Sequence, residues 1–185
     1  MNLNNIKIIN TNDKHFKDIM TVETRAFGSD KEAELTAALL NDVTGEPTLS
    51  LLAMHNEKAV GHILFTRCYV DKMTTNQALF HILAPLAIIP EYQKQGLGGL
   101  LIQEGHRQLK EMGSKMVFVL GHINYYPRHG YVNDASQFGY IPTYPIPEKV
   151  KDAWMCQSLV ENKYPVKKGR ILCCEELNRP EHWKE

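Results

Sequence analysis

The residues best able to do chemistry lie in two short runs. The first, Pro90-Glu91-Tyr92-Gln93-Lys94-Gln95-Gly96-Leu97-Gly98-Gly99-Leu100-Leu101, joins an apolar segment to an amphipathic one through glycines. The first backbone N–H groups of a helix lack intrahelical partners and, with the helix dipole, favour an anion such as a phosphate. Glycines at such a start let phosphate oxygens approach with no Cβ in the way. They can also serve helix–sheet packing, so this run alone leaves both readings open. Two familiar phosphate motifs fail here. The dinucleotide fingerprint would put its third small residue at Leu101, whose bulk opposes close helix–strand packing. A P-loop needs Gly-Lys followed by Ser or Thr, which is absent. The second run, Asn124-Tyr125-Tyr126-Pro127-Arg128-His129-Gly130-Tyr131, is broken by proline and rich in phenols that can donate a proton near neutral pH.

The spacing Gln93-x-x-Gly96-x-Gly98 resembles the Q/R-x-x-G-x-G/A signature of the GCN5-related N-acetyltransferase (GNAT) superfamily. The second run is similar to that family's later segment, a Tyr four residues before Gly-Phe/Tyr. With Leu120, Gly121, His122 and Ile123 in front, it looks closest to a bacterial subset carrying Leu-Gly-x-x-x-Tyr-Tyr-x-Arg-x-Gly-Phe. The resemblance covers residues 6 to about 177. It implies acetyl-CoA as donor, with the pyrophosphate over the backbone amides of Gln95, Gly96, Leu97, Gly98 and Gly99, and with Gln93 and Lys94 as further cofactor-binding residues. The pantetheine arm would pair with the backbone of Leu86, Ala87 and Ile88, and Asn124 would either bond the cofactor or cap the short helix. Arg128 would pair with a phosphate or solvate the surface. Tyr126 matches the family's acid, which protonates the departing thiolate.

An amine acceptor is mostly protonated at neutral pH and needs a base or an ordered water chain before it can attack. The strand that often carries a glutamate in relatives offers only Leu86, Ala87, Ile88 and Ile89 here. His81, His122 and Glu23 are the alternatives, beside a water chain with no single base. The leading expectation is an N-acetyltransferase acting by direct attack on an amine of a small molecule or protein. The competing one is a non-catalytic acyl-CoA sensor.

These groups need a scaffold. Residues 6–9 are β-branched and precede turn formers; Phe16, Ile19, Met20 and residues 23–27 recur at helical spacing. Ser29 and Glu32 fit a capping box for a helix reaching about Asn41. Residues 48–53 and 59–68 read as a hairpin around His55, Asn56 and Glu57, and residues 71–76 as a turn. Residues 78–90, with Pro85 inside, form either two pieces or one bulged strand. A helix from Leu97 ends at Gly113, and residues 116–120 follow as a buried strand. Strand, helix, strand predicts one parallel pair in an otherwise antiparallel sheet. Residues 153–160 and 170–177 read as closing strands, placing Cys173 and Cys174 on opposite faces. By resemblance, residues 27–30 and 138–147 shape the acceptor site, with Tyr140 and Tyr144 as aromatic walls. The fold class is α/β (α+β): an acyl-CoA N-acyltransferase fold with a mixed, mostly antiparallel sheet flanked by helices, in one domain over residues 1–185.

Composition removes other classes. Apolar residues at 43% exclude charge-rich disorder, and 21 basic against 21 acidic residues leave no global field for nucleic acid or an anionic membrane. No apolar run approaches the roughly 18 residues of a membrane span. Cys68, Cys156, Cys173 and Cys174 show no metal or disulfide spacing, so no metal and a reducing cytoplasm are expected. A homodimer is favoured over a monomer on the resemblance alone.

Overall fold

The computed structural model describes residues 5–71, 78–161 and 168–183. The elements are β1 (Ile6–Asn10), α1 (Phe16–Phe27), α2 (Lys31–Asn41), β2 (Leu49–His55), β3 (Lys58–Val70), β4 (Phe80–Ile88), α3 (Leu97–Glu111), β5 (Met116–Leu120), β6 (Tyr140–Ile141), β7 (Trp154–Ser158) and β8 (Gly169–Leu172). The main sheet runs β1-β2-β3-β4-β5-β7. Its pairs are antiparallel except β4 with β5. That parallel pair is bridged by α3, as the strand–helix–strand pattern predicts. Most of the predicted turn at residues 71–76 lies outside the described residues.

Local chemistry explains the joints. Asn56 and Glu57 both take positive φ (47° and 64°), so β2 and β3 meet in a two-residue hairpin, and His55 pairs with Lys58 instead of joining the loop. Gly28 ends α1 at φ 70°, its N–H bonding the Thr24 carbonyl. The predicted capping box does not form. Asp30 is the N-cap of α2, and the Ser29 hydroxyl instead donates to Glu32 Oε2 at 2.7 Å.

The apolar segment around Pro85 is one bulged strand. Ile63 faces Leu86 and Phe65 faces Leu83, so β4 carries one extra residue against β3. On its other side β4 pairs with β5 only at Phe80, His81 and Ile82, opposite Met116, Val117 and Phe118. Past that point the parallel strands part. Among the described residues, the edge of β4 over residues 83–88 therefore has no strand neighbour on the β5 side.

Helix α3 packs on one face of the sheet, with Leu101 over Gly61 and Gly105 against Phe65; α1 covers the other, where Glu23 meets His62. Of the two closing strands, β7 pairs with β5 as a sheet edge. β8 instead pairs with β3, where Ile171 faces Val70 and Leu172 faces Tyr69, and with the short β6, where Gly169 faces Tyr140 and Arg170 faces Ile141; it ends at Leu172. Cys173 and Cys174 thus lie beyond the strand, and both are buried.

The contact of Gly105 with Phe65 generates a prediction. A Cβ at Gly105 would collide with the Phe65 ring. Alanine gains about 1 kcal/mol of helix propensity, whereas overpacking costs about 1–3 kcal/mol. Gly105→Ala should therefore lower the urea midpoint, by about 1 kcal/mol of stability, with an unchanged m value.

Candidate functional site

After β4, Pro90–Tyr92 makes a single 3-10 turn. Lys94 (φ 58°) and Gly96 (φ 89°) then take left-handed conformations that swing the chain into α3. The first α-helical bond runs from Leu100 N–H to the Gly96 carbonyl at 3.2 Å, so the amides of Leu97, Gly98 and Gly99 have no intrahelical acceptor. Two side chains lock this loop. Gln93 Nε2 donates to the Ile88 carbonyl and Gln95 Nε2 to the Glu91 carbonyl, each at 2.8 Å.

The second run folds back over the same helix start. The Tyr125 hydroxyl sits on Gly98, and a Cβ at Gly99 would lie 2.8 Å from His129 Cε1. Both glycines are therefore required for close approach whatever else they do. Tyr125, Tyr126 and Tyr131 pack edge to face, and the Tyr131 hydroxyl bonds His106 Nε2 at 2.9 Å. Burial, with Tyr125 adding to it, raises the Tyr126 phenol well above its ordinary value. Tyr126 stays protonated at any pH near neutral, and its hydroxyl has no hydrogen-bond partner among the described residues.

Two cavities meet here. One, of about 610 Å³, covers the α3 start and is lined by Leu86, Ile88, Gln93, Lys94, Tyr125 and Arg128 among others. The other, of about 510 Å³, fills the gap where β4 and β5 part, and is closed by Phe27, Glu32, Leu177 and Trp183. Leu86, His122 and Tyr126 line both.

Against this geometry the predicted site residues divide. Leu86, Ile88, Gln93, Lys94, Gly96, Leu97, Gly98 and Gly99 line the first cavity. Ala87 does not, because alternation along β4 turns its side chain to the other face, opposite His62; only its backbone faces the open edge. Gln95 does not, because its side chain folds back onto Glu91. Asn124 is exposed and outside both cavities; its carbonyl accepts from Arg128 Nε at 2.7 Å, so it neither caps the helix with its side chain nor reaches the groove.

The three proposed bases separate as well. His122 lines both cavities. His81 is fully buried elsewhere: Nε2–H donates to the Pro47 carbonyl and Nδ1 accepts from Ser114, each at 2.9 Å. Burial depresses its pKa to about 4, so it remains neutral. Glu23 is also fully buried, bonded through Oε1 to His62 Nδ1 at 2.5 Å, while His62 Nε2 meets the Ser50 hydroxyl at 2.9 Å. Desolvation raises the Glu23 carboxyl above its ordinary value, only partly offset by His62, and Oε2 has no partner. Neither Glu23 nor His81 lines either cavity. The expected aromatic walls are elsewhere too. Tyr140 is a fully buried core residue beside Phe118 and Trp154, and Tyr144 donates to the Asn178 carbonyl. Phe27 and Trp183 take that place, and nothing in the periodicity around Trp183 points to it.

The model of the acetyltransferase (GNAT) family matches residues 16–131. The chain belongs to the GNAT acetyltransferase family. It is 54% identical over 158 residues to the uncharacterized N-acetyltransferase YjhQ of Escherichia coli K12, covering 85% of this chain and 86% of that one. Among solved structures, GNAT N-acetyltransferase YhbS of Escherichia coli, in complex with CoA, superposes with TM-score 0.82 at 26% identity, over 95% of this chain and 93% of that one. A GNAT acetyltransferase from Brucella melitensis, solved with acetyl-CoA, shares the fold with TM-score 0.71 at 22% identity, over 93% and 97% of the two chains. These relatives establish an N-acetyltransferase built on the acyl-CoA N-acyltransferase fold.

The buried histidines predict a pH dependence. His81 and His106 are both held at about 4 by burial, against 6.5 unperturbed, so the unfolded chain takes up their protons first. Their contribution to stability is complete above about pH 6.5 and falls as pH drops toward 4. Each should cost about 2 kcal/mol between pH 7 and pH 5. Urea unfolding of His81→Gln should show a correspondingly smaller loss over that interval than the parent protein.

Proposed function

We propose that the protein transfers an acetyl group from acetyl-CoA to a primary amine by direct attack within a ternary complex. The observation that carries this reading is the meeting of the two cavities at Leu86, His122 and Tyr126. One cavity ends on unpaired helix amides suited to a pyrophosphate, and the other is a separate chamber for an acceptor. The open edge of β4 over residues 83–88 suits an extended amide-bearing arm, as in strand addition. CoA complexes of relatives support this placement.

In this reading the amides of Leu97, Gly98 and Gly99 hold the pyrophosphate, with Gln93 and Gln95 fixing the loop. Leu86, Ala87 and Ile88 offer their backbone to the pantetheine arm, and an N–H of Leu86 or Ala87 stabilises the oxyanion formed on attack. His122 is the proposed base that reaches the acceptor, and an imidazole can accept a proton near neutrality. Tyr126 returns a proton to the departing CoA thiolate. Burial keeps that phenol protonated before the step. Four free, buried thiols support a reducing, cytoplasmic setting.

Three measurements test the assignment. Calorimetry should show acetyl-CoA binding with NAD and ATP inert. Lys94→Glu, which reverses the charge of an exposed residue lining the groove at the helix start, should weaken that binding by about 1.4 kcal/mol or more, roughly tenfold, with the fold retained by circular dichroism. Tyr126→Phe should lower kcat about 100-fold with acetyl-CoA affinity within about twofold of the parent protein. Wild-type affinity in Lys94→Glu would remove the phosphate placement, and full turnover in Tyr126→Phe would remove the acid. Binding without thiol release from any amine would favour a sensor.

A further inference from the structure

The chamber between β4 and β5 has an unbalanced lining. Glu32 is the one carboxylate among its lining residues, and no lysine or arginine is among them. Glu32 sits where α2 begins; Ser29 donates to Oε2, and Oε1 has no protein partner among the described residues. The two imidazoles differ in engagement. His182 Nε2 faces Glu176 Oε1 at 3.5 Å, so that imidazole is turned toward a carboxylate, whereas His122 stands at the junction with the donor groove. The remaining wall is apolar: Phe27, Leu35, Val119, Leu120, Leu177 and Trp183.

From this lining we infer that the acceptor is a small monoamine whose single primary amino group is carried on an apolar, preferably aromatic body, with Glu32 as the residue that selects its charge. The inference rests on the acetyl-transfer reading and names the substrate class for it. A lone ammonium finds Glu32 with no competing cation, a favourable and weakly screened pairing on a partly enclosed wall. A second ammonium, as in a polyamine, would find no second carboxylate among the lining residues, and an unpaired charge in a partly enclosed cavity is disfavoured. An α-carboxylate, as in an amino acid, would lie beside the like charge of Glu32, with no lysine or arginine among the lining residues to pair with it. A cavity of about 510 Å³ is the size that encloses a small organic ligand, and its aromatic ends at Phe27 and Trp183 exceed what the four methylenes of a lysine side chain can cover. The ammonium held by Glu32 loses one proton to His122 and on to solvent, and the free amine attacks the thioester carbonyl. As the C–S bond breaks the nitrogen sheds a second proton while the thiolate takes one from Tyr126, giving the amide, the CoA thiol and one net proton.

The test is thiol release from acetyl-CoA with matched acceptors: 2-phenylethylamine, L-phenylalanine, spermidine and a lysine-containing peptide. The expected result is a kcat/KM for 2-phenylethylamine about tenfold or more above each of the others. Glu32→Gln, which keeps a hydrogen-bond acceptor for Ser29, should raise KM for 2-phenylethylamine about tenfold and leave the acetyl-CoA Kd unchanged. Spermidine, phenylalanine or the peptide matching 2-phenylethylamine would overturn the inference in the parent protein itself, without recourse to a variant. An unchanged KM in Glu32→Gln would overturn the role of Glu32. Failure of acetyl-CoA to bind in calorimetry would be a different result, removing the acetyl-transfer reading beneath it.

Discussion

Everything functional in this acetyltransferase depends on two parallel strands that stop pairing. β4 and β5 share a ladder only from Phe80 to Ile82 on one side and Met116 to Phe118 on the other. Beyond it β4 carries an extra residue against β3, and Pro85 falls in the irregular stretch with no N–H to give a ladder. Backbone groups left without a strand partner are expensive to bury and are normally satisfied by another polar chain or by water. The parting therefore creates two things together: an unpaired strand edge and a wedge-shaped gap. The edge faces the groove that runs to the start of α3, and the gap is the cavity closed by Phe27, Glu32, Leu177 and Trp183, the one proposed for the acceptor.

The glycines at the start of α3 meet two demands at once. Gly98 and Gly99 receive the Tyr125 hydroxyl and the His129 ring, so even without an anion a larger residue at either would push one of these side chains aside. The same absence of Cβ leaves the first helix amides uncovered on their outer side. Packing and anion binding are not rival explanations here. The packing holds the second run, with Tyr126, at a fixed distance from the helix start, and this places the phenol between the two cavities.

Burial sorts groups that a sequence lists side by side. His81, His62 and His122 are all histidines on or next to strands, yet only His122 lines a cavity. His81 is enclosed by Ser114 and Pro47, and His62 by Glu23 and Ser50, in contacts that satisfy buried nitrogens far more than they prepare a reaction. Glu23 follows the same logic: a carboxyl with one oxygen on His62 and the other unpartnered is held inside the α1–sheet contact, away from the acceptor chamber.

Sequence alone determined the elements whose signals are local. Alternation and β-branching marked the hairpin of β2 and β3. The 3.6-residue period with a closing glycine marked α3, and Gln93-x-x-Gly96-x-Gly98 with Tyr126 marked the donor groove. A proline inside an apolar run gave notice of a disrupted strand. Tertiary structure alone decided what depends on contacts between distant segments. Pairing of β8 with β3 and β6 cut a predicted strand short at Leu172 and buried both following cysteines. Tyr140 lies in the core, and Trp183, distant in sequence from the other lining segments, is buried against the wall of the chamber proposed for the acceptor. No period or motif encodes such a placement, because it is fixed by which surfaces remain to be covered once the sheet has formed. The groove proposed for the donor was legible in outline, because two continuous runs of sequence line most of it. The chamber proposed for the acceptor was not, because it is assembled from four segments that only the fold brings together.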